Sequence, residues 1–151
     1  MATLGTFTAG QVLTAAELNA IGTYTAYTPT FTNLTVGNGT RDFKYTQINK
    51  FVHVNGKFTF GSTSSVSGGV LMSLPANISM ADNQWLGTAR LDDSGVGTLW
   101  GMVIGSGATQ VAIQAVNTSG TYMNNTSFTA TVPFTWSTND SITVSFIYQS
   151  V

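Results

Sequence analysis

From residue 24 onward, apolar and polar side chains alternate in short runs, separated by turns rich in Gly, Asn, Asp and Ser. Period two is the mark of a strand that buries one face and wets the other. Phe31 and Leu34 lie among Thr30, Thr32 and Asn33, and Gly37-Asn38-Gly39 makes a turn. Phe43–Ile48 then leads through Asn49-Lys50 into Phe51-Val52-His53-Val54. Two turn sites compete here. Asn55-Gly56 is the stronger hairpin dipeptide, but Asn49-Lys50 leaves longer matched arms, Phe43–Ile48 against Phe51–Phe60. The hairpin is expected at Asn49-Lys50, with Gly56 as a bulge or close-approach site. Gly61 to Gly69 reads as a Ser/Gly-rich loop, and the strand Val70–Leu74 ends at Pro75. Further strands are expected near Trp85–Leu91, Thr98–Ile104, Gln110–Val116, Phe128–Val132 and Ser141–Tyr148, with Asp92-Asp93-Ser94-Gly95 as one of the turns between them. About nine short strands at this spacing predict an all-β fold, an antiparallel β-sandwich of jelly-roll type.

One helix precedes the strands, within Phe7 to Ile21. Thr14 can cap it while Glu17, three residues on, reaches back to the cap. Leu13 and Leu18 are placed for the accompanying hydrophobic staple, and Gly22 can take the positive φ that ends the helix. About two turns result, with Leu18 and Ile21 on one face. A helix this short is marginal in water by itself. It is therefore expected to dock on its own domain, on a sister subunit or on a larger assembly.

Composition sharpens the picture. Only 7% of residues are charged, against about a quarter in an ordinary soluble domain. The 25 Thr and 14 Ser take their place, and Thr suits a half-exposed strand because its branched Cβ packs while its hydroxyl meets water. A formal net charge of -1, with Arg41, Lys44, Lys50, Lys57 and Arg90 scattered, gives no electrostatic footprint for nucleic acid. Near-neutral surfaces self-associate readily, so part of this one is expected to be interface. There is no Cys, which removes disulfides and thiol chemistry. No signal-peptide pattern opens the chain and no apolar run reaches membrane-spanning length, so neither secretion nor membrane insertion is expected.

Catalytic chemistry is sparse. The single histidine, His53, lies in an alternating strand and reads as structural. No nucleophile motif of the G-x-S-x-G kind occurs, and the adjacent Asp92 and Asp93 read as a turn rather than as a carboxylate pair. One His and no Cys give no structural zinc site within one chain. No enzyme activity, cofactor or metal is expected. Trp85, Trp100, Trp136 and Tyr122 could each stack on a sugar face. Trp100, amid Leu99, Met102 and Ile104, reads as buried, whereas Tyr122 reads as the exposed one, with Asn124 beside it as a second candidate ligand contact.

Three stretches carry a resemblance. Phe7-Thr8-Ala9-Gly10-Gln11-Val12-Leu13-Thr14-Ala15-Ala16-Glu17-Leu18-Asn19 is similar to the N-terminal segment of many siphophage tail and minor tail proteins. Tyr45 to Phe58 resembles a β-hairpin of distal tail-fibre domains, with Asn49 where that hairpin usually has Gly. Asn also tolerates left-handed φ, so the turn survives the departure. Trp136 to Tyr148 looks like the last strand of such domains. The resemblance implies a structural component of a bacteriophage virion, assembled in the bacterial cytoplasm. Residues 1–26 would be a virion-attachment segment, acting through Phe7, Leu13, Leu18 and Ile21, and residues 27–151 a β-sandwich domain. It further implies a homotrimer, other virion proteins as partners, and a part in host-surface recognition with host glycan as ligand. A receptor-recognition lectin and a capsid decoration protein are the alternative readings.

Overall fold

The computed structural model describes residues 10, 12, 14–82 and 85–151, the Trp85 side chain excepted. One short helix, Ala15–Ala20 (α1), precedes the strands. They are Thr25–Ala26 (β1), Phe31–Thr35 (β2), Thr40–Ile48 (β3), Phe51–Thr59 (β4), Ser65–Ser73 (β5), Trp85–Asp93 (β6), Gly97–Gly105 (β7), Gln110–Asn117 (β8), Asn124–Ser127 (β9) and Ser141–Gln149 (β10). All pairings between them are antiparallel. The order β1-β3-β4-β10-β6-β7-β8-β5-β2, with β9 beside β8, makes one continuous sheet that curls on itself. The expected all-β, sandwich-like fold is thus realised by a single sheet facing itself across one core.

Alternation decides which side chains fill that core. Val52, Val54 and Phe58 on β4 point inward with Ile142, Val144, Phe146 and Tyr148 on β10. Val70 and Met72 on β5 meet them with Val111 and Ile113 on β8. At one end Trp136 stacks on Phe60 at 4.8 Å and lies against Phe128 and Phe134, closing the core with aromatic rings. Most of these side chains are fully buried, each contributing roughly 1.5–3 kcal/mol relative to exposure.

The hairpin forms at Asn49-Lys50: Ile48 pairs with Phe51, and Asn49 adopts φ 54°. Gly56 then falls opposite Phe43, where a Cβ would run into the Phe43 ring, so it is a close-approach site. Three expectations need correction. Ser65 to Gly69 is strand rather than loop, because Val66 is an inward residue that pairs with Leu34. Phe128–Val132 is not a strand. Asn124–Ser127 takes the place beside β8, and Phe128 turns into the core. Asp92 and Asp93 end β6, and the turn begins only at Ser94.

The long strands give the face turned away from the core two poles, a near pole beside α1 and a far pole beside the turn joining β6 to β7. Near one lie the Asn49-Lys50 turn, Gln149 and α1, with Gly22 beside Ile48. At the other, Thr40, Thr59, Ser141, Asp92 and Thr98 follow one another across the sheet, next to the turn joining β6 to β7. Nine-residue strands at about 3.3 Å per residue separate the poles by roughly 27 Å.

Candidate functional site

At the near pole, Thr14 and Glu17 form the expected capping box. Glu17 N–H donates to Thr14 Oγ1 at 3.2 Å, and Thr14 N–H donates to Glu17 Oε2 at 2.8 Å. These bonds hold the Glu17 carboxyl below its ordinary pKa. Gly22 adopts φ 79° just after the helix. No residue of α1 is buried; Leu18 is 57% and Ile21 39% exposed. The helix is therefore not docked on its own domain among the described residues. Phe7 and Leu13, the other two expected attachment residues, lie outside the described residues. Close by, Ile48, Phe51 and Ile147 are also exposed. Phe51 and Ile147 line a cavity of about 410 Å³ with Lys50, Asp82, Leu86 and Gln149.

His53 ties the leading segment to the sheet. Its Nδ1 lies 2.8 Å from the Tyr24 hydroxyl and its Nε2 3.1 Å from Ser145 Oγ. The Tyr24 ring meets the imidazole edge-on, while Lys44 Nζ sits 5.1 Å from its centroid. A serine, an imidazole and a third hydrogen-bonding group in line have the outline of a nucleophile relay. The chemistry differs in two respects. The third member is a neutral phenol rather than a carboxylate, so it offers little to stabilise an imidazolium. Ser145 also lies in the middle of β10, paired with Asn55 on one side and Thr88 on the other. Its amide serves the ladder, not an oxyanion. The trio works as a staple.

Trp100 is at the far pole and 70% exposed, which overturns its expected burial. Its hydrophobic neighbours in sequence are misleading. Val103 points inward, and β7 alternation then places Thr98, Trp100 and Met102 on the outer face. Arg90 is directly opposite on β6, and the same row continues through Thr143, Lys57 and Asp42. Beside this row runs a fixed polar cluster. Arg90 Nη2 contacts Asp92 Oδ1 at 2.7 Å, and the Thr98 hydroxyl donates to the same oxygen at 2.5 Å. Ser141 Oγ donates to Asp92 Oδ2 at 3.3 Å. The Thr98 hydroxyl foremost, with Arg90 and Ser141, holds the Asp92 carboxyl below its ordinary pKa. Asp92 and Thr98 also line a depression of about 420 Å³ with Lys57 and the Ser94–Gly97 turn.

That turn is anchored from below. Asp140 is fully buried; its Oδ1 accepts from Ser94 N–H at 2.9 Å and its Oδ2 from Ser137 N–H at 2.6 Å. Tyr122 is 84% exposed in the loop between β8 and β9, and Asn124 opens β9 opposite Asn117 at the same pole. The sequence reading missed Arg90, Asp92 and Thr98 as a group. Their signal was the equal distance of Arg90 and Trp100, and of Asp92 and Thr98, from the turn between them. Among the described residues no three His, Asp or Glu side chains come together to hold a metal ion. No helix among them is long and apolar enough to cross a membrane.

No family model, curated protein or solved structure matches this chain.

Proposed function

We propose that this chain is a structural and interaction module of a bacteriophage virion, a tail or fibre component that works without catalysis, cofactor or nucleic acid. Its N-terminal segment attaches it to other virion proteins, and the β domain assembles as a homotrimer and takes part in host-surface recognition. The observation that carries the attachment is the state of α1: its capping box is complete, yet Leu18 and Ile21 remain in water. A two-turn helix gains little stability alone, so a partner that covers this face would complete it. Ile48, beside Gly22, and Phe51 and Ile147, which line one cavity, are exposed at the same pole and suit assembly. The resemblance of the leading segment and the hairpin to siphophage tail proteins names the kind of assembly.

Deleting residues 1–22 is the test. The truncated protein should fold and yet be missing from purified virions; incorporation at the normal level would refute attachment through this segment. Light scattering on the full chain should give about three times 15.9 kDa, and a clean monomer would refute the trimer. A capsid decoration protein remains the second reading, because the same composition and unpartnered helix serve that position. Immunogold labelling of virions separates the two.

A further inference from the structure

We propose that the outer face around Trp100 is a saccharide-binding site for neutral, β-linked pyranosides with equatorial hydroxyls. The inference rests on the recognition part of the proposed function and is independent of the attachment part. It begins from an indole that the fold leaves bare. Trp100 is 70% exposed in a paired strand, on a sheet face rather than at a loop tip. Pairing with Arg90 fixes its backbone, so its aromatic surface is offered from a rigid support. β-Gluco-configured rings carry axial C–H groups on both faces, and such a flat apolar face stacks on an indole.

Sugars also need hydrogen-bond partners that are already in place, since ordering loose side chains weakens binding. The cluster beside Trp100 meets that need. Arg90, Thr98 and Ser141 all bond to the Asp92 carboxylate. The Arg90 bonds within the cluster use Nη2 alone, to Asp92 and Thr98, which leaves Nη1 and Nε to donate outward. Asp92 Oδ1 takes two of the cluster's bonds and Oδ2 takes one. A carboxylate has about four acceptor positions, so one remains on Oδ2 for a sugar hydroxyl. Donors and an acceptor thus lie one row from the stacking surface, and the depression lined by Asp92 and Thr98 gives a chain of sugars somewhere to continue.

Charge selects among sugars. Asp92 neutralises Arg90 at 2.7 Å, and Lys57 is balanced by Asp93 in the same depression and by Asp42 opposite it, so the site has little spare positive charge for sialic acid or a phosphorylated wall polymer. A neutral oligosaccharide fits better. A second copy of this chain is the competing occupant, and its signature is different.

The experiment titrates the full-length protein with cellopentaose and chitopentaose up to 10 mM, followed by tryptophan fluorescence and by line broadening of the sugar NMR signals. At least one pentasaccharide should bind saturably. Trp100→Ala, which alters an exposed residue and is checked for native circular dichroism, should weaken binding at least tenfold. Asp92→Asn should weaken it several-fold. Absence of saturation with both sugars, or unchanged binding by Trp100→Ala, overturns the proposal. So does a drop in oligomeric mass in Trp100→Ala, because the face would then be an interface between copies. Binding to host cells that survives Trp100→Ala overturns the saccharide site while leaving host recognition standing.

Discussion

Asp140→Ala tests whether a buried carboxylate organises the far pole. The side chain is fully buried and joins two turns distant in sequence, accepting from the Ser94 amide on one oxygen and from the Ser137 amide and hydroxyl on the other. The backbone bonds of residue 140 to Phe60 and Ser137 survive the substitution, so the effect isolates the carboxylate. Ser94 and Ser137 lie in exposed turns, so removal costs their amides a charged acceptor rather than burying them unpaired, at about 1.5–3 kcal/mol for each hydrogen bond to a charged group. Relief from desolvating the carboxylate offsets part of this. A net loss of about 3 kcal/mol is expected. For a domain of this size each kcal/mol moves Tm by about 2–4 °C, so Tm should fall by roughly 6–12 °C. Urea denaturation followed by far-UV circular dichroism gives the free energy, and the midpoint should move at constant slope. Asp140→Asn keeps one acceptor but turns an NH2 group toward the other amide, so it should lose about 2 kcal/mol, less than Ala. A loss below about 1 kcal/mol for Ala would refute the reasoning, because the two amides would then have found other partners at little expense.

Other substitutions probe separate links. Asn49→Val places a β-branched residue at φ 54° and should destabilise by about 1–2 kcal/mol, whereas Asn49→Gly should be neutral or stabilising; thermal denaturation of the pair reads the difference. Thr14→Ala removes the cap of a helix with no buried residue, so NMR chemical shifts of residues 15–20 should lose helical character while Tm stays within about 1 °C, since little global stability depends on a surface helix. The Asp92 carboxyl has its folded-state pKa lowered by Thr98, Arg90 and Ser141. It therefore stabilises the fold above its unfolded pKa of about 4, and that contribution is lost as pH falls through the lower folded value. Denaturation midpoints between about pH 5 and pH 2 should fall less steeply in Asp92→Asn than in the native protein, and parallel curves would contradict the assignment.

Much of the fold can be read in the order of residues, and the reasons are local. Thr14 and Glu17 make their capping box through contacts three residues apart. The hairpin at Asn49-Lys50 follows from arm length, and Asn49 supplies the left-handed φ. Tertiary demands hid the rest. Ser65 to Gly69 has loop composition, and it is strand because Val66 and Leu34 complete each other's burial. Phe128 left its expected strand to fill the space against Trp136. Apolar neighbours make Trp100 look buried, but parity decides: Val103 faces the core, and three residues earlier the chain must face outward. The Asp92 cluster joins β6, β7 and β10, and Ser141 stands 49 positions from Asp92. The turn between β6 and β7 makes Arg90, Asp92 and Thr98 traceable. Ser141 becomes visible only once β10 is laid beside β6.

The separation of the two poles also has a mechanical side. A load between Thr25, where the chain joins the sheet, and Trp100 runs along the strands and crosses from β1 through β3, β4, β10 and β6 to β7. The ladders between those strands are then sheared, and their many hydrogen bonds share the pull at once; β10 alone contributes nine paired positions toward β4. The short β1, with two pairs to β3, takes the same load with far fewer bonds. Tyr24 clasped to His53 and the Tyr27 amide bonded to the Phe43 carbonyl reinforce that joint. Under tension the joint from Tyr24 to Tyr27 is expected to yield first, letting the leading segment peel away while the curled sheet and its Trp100 face stay intact.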